Sequence, residues 1–567
     1  MSIISLLRRL LVFLLPLSVI ATAYLYLYPL FHGCAFPSQD LSPTPFRDTI
    51  KQHINRRNPT DRALPFRLLA LGDPQLEGDS SLFHPRNGYF PSVWSLGANL
   101  STPASSPERF LIIKESLRKL VAEDVPRILQ SYRKQVDLFG NDYYLAHIYR
   151  TLHWWVKPTH VTVLGDLLGS QWVDDDEFQR RGWRFWQRVF RNGQRVEDEV
   201  TGAARIEPFG EEKDWERRII NVPGNHDVGY AGDMNAARIQ RFEKVFGRAN
   251  WEVRFRLPGE SLDNSTSVPA ADAPELRIVV LNSLNLDTPA LDLDLQDETY
   301  RFMNDIIQSS RPVEHRKSFT ILLTHLPLHK ETGVCVDGPF FDFHSEECGA
   351  GVKEQNHVSY EAGKSILEGI FGMSGNPNAP GGGFGRDGVI LTGHDHEGCD
   401  VYHHLPDDID KAARKWTATR WAEAGAILDQ PVPGIREITV RSMMGDFGGN
   451  AGLLSAWFDQ DIGGWRFLYA TCSVGTQHIW WAIHVLDIVT LGLSVVLSAS
   501  WLLDIAQVSW HDQRTATQKE PPNSRVPDYR DGSHAGQSSS VSISQLSSYG
   551  TGRSTAPANG HTKRRKQ

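Results

Sequence analysis

Five short apolar runs in this 567-residue chain each stop at a small polar cluster, and in four of the five that cluster carries a glycine. This repeated ending constrains the fold more than any other feature. Residues 66–71 run into Gly72-Asp73-Pro74-Gln75, and residues 160–164 into Gly165-Asp166. Residues 218–222 run into Pro223-Gly224-Asn225-His226-Asp227, residues 319–323 into Thr324-His325, and residues 388–391 into Thr392-Gly393-His394-Asp395-His396. Short runs rich in Leu, Ile and Val, bounded by turn residues, read as buried strands. The stretches between them are long enough for crossover helices, and residues 108–137 carry a helical apolar pattern. The expected class is therefore α/β. In open α/β sheets ligands gather outside the carboxyl ends of the strands, and glycines there let the backbone turn tightly and approach a ligand closely.

The residue types at those ends suit metal ions. Asp, Asn, Gln and His form a hard shell of oxygen and nitrogen donors that fits Mn²⁺, Fe or Zn²⁺ better than a thiolate site would. No cysteine stands at any of the five ends, which argues against a structural zinc. A pair of metals about 3.5–4 Å apart needs a bridging carboxylate, and the lone Asp166 after its strand is well placed for it.

Taken in order, these clusters resemble the calcineurin-like metallophosphoesterases, whose pattern is D-x-H, GD, GNH[DE], a histidine after a strand, and GHxH. The last four are present as Gly165-Asp166, Gly224-Asn225-His226-Asp227, His325 and Gly393-His394-Asp395-His396, with Asp73 from the first. The resemblance implies a four-layer αββα sandwich reaching a strand near residues 435–442, with a dimetal site at the strand ends. It places Asp73, Gln75, Asp166 and His396 on one metal, and Asp166, Asn225, His325 and His394 on the other. It makes His226 and Asp227 catalytic, His226 facing the substrate and Asp227 orienting it. The metals expected are two divalent cations, Mn²⁺ first, with Zn²⁺ or Fe as alternatives. One departure stands out: Gln75 occupies the position of a histidine in the wider superfamily, and an amide oxygen is the weaker ligand. The details around the motifs, with the flanking apolar segments, are similar to the fungal phosphodiesterases that remodel glycosylphosphatidylinositol (GPI) anchors by removing ethanolamine phosphate in the endoplasmic reticulum.

Residues 10–31 carry no charge and are long enough to cross a bilayer. Arg8 and Arg9 precede them and place residues 1–9 in the cytosol. A cleaved signal peptide ending at Ala21-Thr22-Ala23 is the competing reading. A second apolar stretch covers residues 485–503, weakened by Asp487, with Arg514 and Lys519 beyond it. Its rival is a buried helix of a soluble body. Two spans would leave both termini cytosolic and a metallophosphoesterase domain over 60–450 in the lumen. From 511 to 567 the chain is rich in Ser, Gly, Pro and Gln and too poor in apolar residues to fold, so a disordered cytosolic tail is expected. The total charge of −8 divides into +5 in that tail and −13 elsewhere. The chain thus has no global basic field, and a nucleic-acid partner is not expected.

A lumenal body should carry glycans and disulfides. Sequons stand at Asn99 and Asn264, and Cys335 and Cys348, flanking a short insertion, form the candidate disulfide. The expected function is removal of ethanolamine phosphate from a mannose of the GPI glycan, in support of export from the endoplasmic reticulum to the Golgi. Expected partners are GPI-anchored proteins as substrate, the lipid bilayer, and cargo-receptor proteins. Two alternatives share the same residues: a lumenal phosphomonoesterase or nucleotide hydrolase, and a cargo-export adaptor that needs no catalysis.

Overall fold

The computed structural model describes residues 2–38, 45–54, 66–78, 90–101, 105–209, 214–257, 272–335, 338–406 and 414–517. Its residues cluster into two units, 1–497 and 498–567. Within the second unit the described part is helical up to residue 517. The remainder of the expected tail, residues 518–567, lies outside the described residues.

Two sheets form the body of the first unit. One has six strands, in the spatial order Gly464–Ser473, Asn450–Asp459, Phe66–Leu71, His160–Val163, Arg218–Asn221 and Gln194–Arg195. The other has eight, in the order Thr417–Arg420, Cys399–His404, Gly434–Thr439, Asp387–Thr392, Ser318–Thr324, Glu275–Leu281, Trp251–Arg256 and Arg205–Pro208. The central strands of each sheet pair in parallel, for example Leu69 beside Val161 and Ile390 beside Leu322.

The period-two alternation of a strand explains why these runs are apolar on every position. Leu68, Ala70, Ile278, Val280, Ile321, Leu323, Val389 and Leu391 belong to one buried core. Their immediate neighbours Leu69, Leu71, Val279, Leu281, Leu322 and Ile390 belong to a second core shared with helices. One face of each sheet thus meets the other sheet, and the opposite face is covered by helices. This is the four-layer αββα sandwich.

The folded body extends past residue 450, where it was expected to end. The hairpin Asn450–Asp459 and Gly464–Ser473 completes the first sheet by pairing antiparallel with Phe66–Leu71. The apolar segments are also longer than expected, forming helices Ile3–Phe31 and Gln477–Thr517. Both are long and apolar enough to cross a membrane, and little of either is buried. Asp487, out of place in an apolar span, accepts hydrogen bonds from Ser18 Oγ (2.5 Å) and Thr22 Oγ1 (2.8 Å) of the first helix. Polar side chains within membrane helices commonly pair in this way.

The expected disulfide between Cys335 and Cys348 is not formed. Cys335 bonds Cys399, which opens the strand Cys399–His404, while Cys348 is free and exposed on a turn. Pairing follows contact across the sheet edge, where Cys335 packs with Val401 and Ala418, and not proximity along the chain. A second disulfide, Cys34–Cys472, ties the chain just beyond the first apolar helix to the last strand before the second. Asn99 is exposed in the helix Pro91–Leu100, and Asn264 lies outside the described residues.

Candidate dimetal site

All seven proposed ligands converge at the carboxyl ends of the strands. Donor atoms of Asp166, His325 and His394 lie within 4.8 Å of one another, as do those of Asp73, Asp166 and His396. Asp166 is the one residue common to both groups. Asn225 completes the first, its Oδ1 standing 3.0 Å from both His325 Nε2 and His394 Nδ1. Gln75 completes the second, its Nε2 donating to Asp166 Oδ2 (2.9 Å) and standing 3.2 Å from His396 Nε2. The two ends of an amide are nearly isosteric, so a half-turn presents Oε1 to the same neighbours.

The backbone is bent to achieve this. Asp73, Gln75, Asp166 and His394 all have φ between 41° and 73°. Non-glycine residues adopt the left-handed region at a cost of order 1–3 kcal/mol, and such residues cluster at functional sites. Four of the seven non-glycine positive φ values in the described residues belong to the proposed ligands, which places the strain at the site. Gly224 is needed for a different reason: a Cβ there would stand 2.0 Å from the Asp166 amide nitrogen and 2.3 Å from its carboxylate.

Each histidine is aimed by a bond on its far nitrogen. His325 Nδ1 donates to Leu164 O (2.7 Å), leaving the Nε2 lone pair for the cluster. His394 is reversed: Nε2 donates to Gln355 O (3.1 Å) and Nδ1 faces Asn225. Such bonds fix the tautomer a metal requires. Gln355 O was not evident from the sequence, because a backbone carbonyl can serve here whatever side chain it carries.

The electrostatics leave room for cations. Burial, and then the nearby Asp166, push the Asp73 carboxyl well above the ordinary carboxylate range. Asp73 Oδ2 is buried and has no hydrogen-bond partner among the described residues. Burial works against ionised Asp166 too, but His325, His226 and His394 outweigh it and hold Asp166 below its ordinary value. Burial, reinforced by His325, lowers His394 to about 3, and burial also lowers His325 and His396. Neutral imidazoles beside buried carboxylates, one oxygen orphaned, are the donor set that divalent cations take. The residues fit the expected metals.

His226 and Asp227 do not form the expected pair. Both oxygens of Asp227 are taken by backbone amides: Leu168 N (2.9 Å) on Oδ1, and Leu167 N (3.1 Å) and Gly224 N (2.9 Å) on Oδ2. Asp227 therefore locks the loop carrying Asp166 to the loop carrying Asn225. The His226 backbone N–H donates to Asp166 Oδ1 (2.9 Å), and its side chain is half-exposed with Nε2 3.8 Å from Asp166 Oδ2. Nδ1 of His226 has no partner among the described residues.

The sandwich and the two donor groups sharing one carboxylate define a metallophosphoesterase. No family model matches the chain. Over 543 residues it is 30% identical to Protein TED1 of Saccharomyces cerevisiae, covering 84% of this chain and 95% of that protein. It is 27% identical over 383 residues to an uncharacterized protein of Schizosaccharomyces pombe, covering 62% of this chain and 79% of the relative. Over 273 residues it is 25% identical to Metallophosphoesterase 1 of Rattus norvegicus, covering 47% of this chain and 57% of the relative. The chain belongs to the metallophosphoesterase family that these proteins represent.

Proposed function

We propose that this chain is a membrane-anchored dimetal phosphodiesterase that removes ethanolamine phosphate from a mannose of the GPI-anchor glycan in the endoplasmic reticulum. In this reading it supports export of GPI-anchored proteins to the Golgi. The observation that carries the chemistry is the convergence of seven donors from five strand ends into two groups sharing Asp166. Asp73, Gln75, Asp166 and His396 would hold one divalent cation, and Asp166, Asn225, His325 and His394 the other, with Mn²⁺ the ion expected. A bound pair would supply charge neutralisation at a phosphoryl group and Lewis acidity toward a water.

The chain's own residues do the rest. Asp227 and the two carbonyls behind His325 and His394 keep the donors in place before substrate arrives, so little reorganisation is needed. His226, half-exposed at the rim and anchored through its backbone to Asp166, contacts the substrate. Its ring gives a proton to the departing sugar oxygen as general acid. Two disulfides support an oxidising lumen for the body, and the two apolar helices support a substrate held at a membrane.

The test is direct. GPI glycans from cells lacking this protein are compared by mass spectrometry after complementation with wild type or Asn225→Ala. Wild type alone should remove one ethanolamine phosphate. Equal glycans in all three, or rescue of cargo export by Asn225→Ala, would replace this reading with nucleotide hydrolysis or with an adaptor.

A further inference from the structure

The helical segment from Ser106 to Val156 carries an apolar stripe that nothing in the described residues covers. It consists of helix Ser106–Lys119, a π turn over Leu120–Asp124, and helix Val125–Val156. Phe110, Leu117, Val121, Leu129, Tyr132 and Val136 are between 52% and 69% exposed. Their spacings are seven, four, eight, three and four residues. All but the eight are the steps of one helix face. The eight-residue step spans the π turn, whose wider coil absorbs the extra residue, so the stripe stays in line. Several charged residues of the segment pair within it: Arg118 with Glu115 (3.0 Å), Arg127 with Glu123 (3.5 Å) and Arg133 with Asp137 (3.6 Å). Lys114 and Arg133 stand at helical spacing within the stripe, long cationic side chains that can lie along an apolar surface and reach its polar edge.

The stripe ends where the membrane helices begin. Gly140 packs so closely on Trp481 that a Cβ would stand 1.6 Å from the indole. Tyr144 donates to Gly475 O (2.5 Å), just before the second apolar helix. Trp155 Nε1 donates to Tyr26 O (2.9 Å), and His147 meets the Tyr26 ring at 5.1 Å, both on the first. One continuous helix thus clasps both spans near the ends where they enter the body, and then presents its apolar face. Its charge also differs from the rest: residues 106–139 hold seven basic and five acidic residues in a chain whose net charge is −8.

We infer that this stripe lies in the lumenal leaflet as an interfacial amphipathic helix, a third membrane contact besides the two spans. Its occupant is lipid. Continuity with the spans, a row of exposed apolar side chains that includes a tyrosine, and a slightly basic balance are the features that favour a bilayer surface. The contact reaches toward the site, because Lys134 of the same helix donates to Glu77 (2.6 Å), two residues beyond Gln75.

The test uses the full chain in phosphatidylcholine nanodiscs doped with a phospholipid bearing a photoactivatable diazirine on its acyl chain. After irradiation, mass spectrometry maps the adducts. Lipid adducts are expected on peptides spanning 106–136 as well as on both apolar helices. Leu117→Asp with Val121→Asp, both exposed, should lose the adducts on 106–136 and keep those on the spans. Hydrolysis of a soluble phosphodiester by that double variant should stay at the wild-type level, which shows that the body is folded. Adducts confined to the two spans, or adducts on 106–136 that persist unchanged in the double variant, would overturn the inference. This readout does not depend on which phosphodiester the site hydrolyses.

Discussion

Two buried carboxylate clusters share this body, and they are resolved in opposite ways. Glu437, fully buried, has its partners supplied by the chain: Lys330 Nζ donates to Oε1 (2.8 Å) and His403 Nε2 to Oε2 (2.5 Å). Burial works against its charge, but Lys330 and His403 more than offset this and bring it down to about 2. Asp73 and Asp166 have no lysine or arginine partner among the described residues. His325, His394 and His396 stand around them, all three lowered by burial, and Asp73 is pushed up with one oxygen unpaired among the described residues. A buried charge costs several kcal/mol unless paired. The first cluster is finished by folding, whereas the second is left for ions from solution.

That contrast can be broken in five ways, from the largest expected effect down. Asp166→Asn removes the carboxylate common to both donor groups. Phosphoesterase turnover should fall to background while the circular dichroism spectrum and melting transition persist. Lys330→Met strips the finished cluster of its cation and should cost about 3–5 kcal/mol of stability in denaturant unfolding. The same cluster sets a pH dependence. Glu437 ordinarily titrates near 4.5 and is held at about 2 in the folded chain. Its stabilisation is thus complete above about 4.5 and is lost as pH falls toward about 2, and Glu437→Gln should flatten that part of the stability profile.

Asp227→Asn should leave the fold intact, because it keeps the shape but only one strong acceptor for three amides. Loosening a residue behind the ligands typically costs about 10–100-fold in metal affinity, measurable by competition with a chelator. Smallest of all is Gln75→His, which replaces a weak amide donor with imidazole. Affinity for the ion held with Asp73 and His396 should rise several-fold, with little change at the other.

Much of the sandwich and most of the site were legible because each ligand directly follows its strand. The apolar runs mark the strands, and Asp73, Asp166, Asn225, His325 and His394 stand within four residues of the ends of Phe66–Leu71, His160–Val163, Arg218–Asn221, Ser318–Thr324 and Asp387–Thr392. What escaped depended on contacts between distant segments. The Cys34–Cys472 bond joins residues 438 apart, and Cys335 chose Cys399 over its nearer neighbour because the strand edge brought it there. Asp227 was read from its place beside His226, but helical backbone geometry turns its carboxylate toward the amides of Leu167 and Leu168.

The most direct test of a site left open for two cations is the metal content of the purified full chain. After incubation with Mn²⁺, Zn²⁺ or Fe²⁺ and removal of excess, mass spectrometry of the elements should find two divalent ions per wild-type chain and a marked loss of both in Asp166→Asn. A wild-type chain that holds one ion or none with every metal, or an Asp166→Asn chain that retains both, would contradict a shared carboxylate at a dimetal centre.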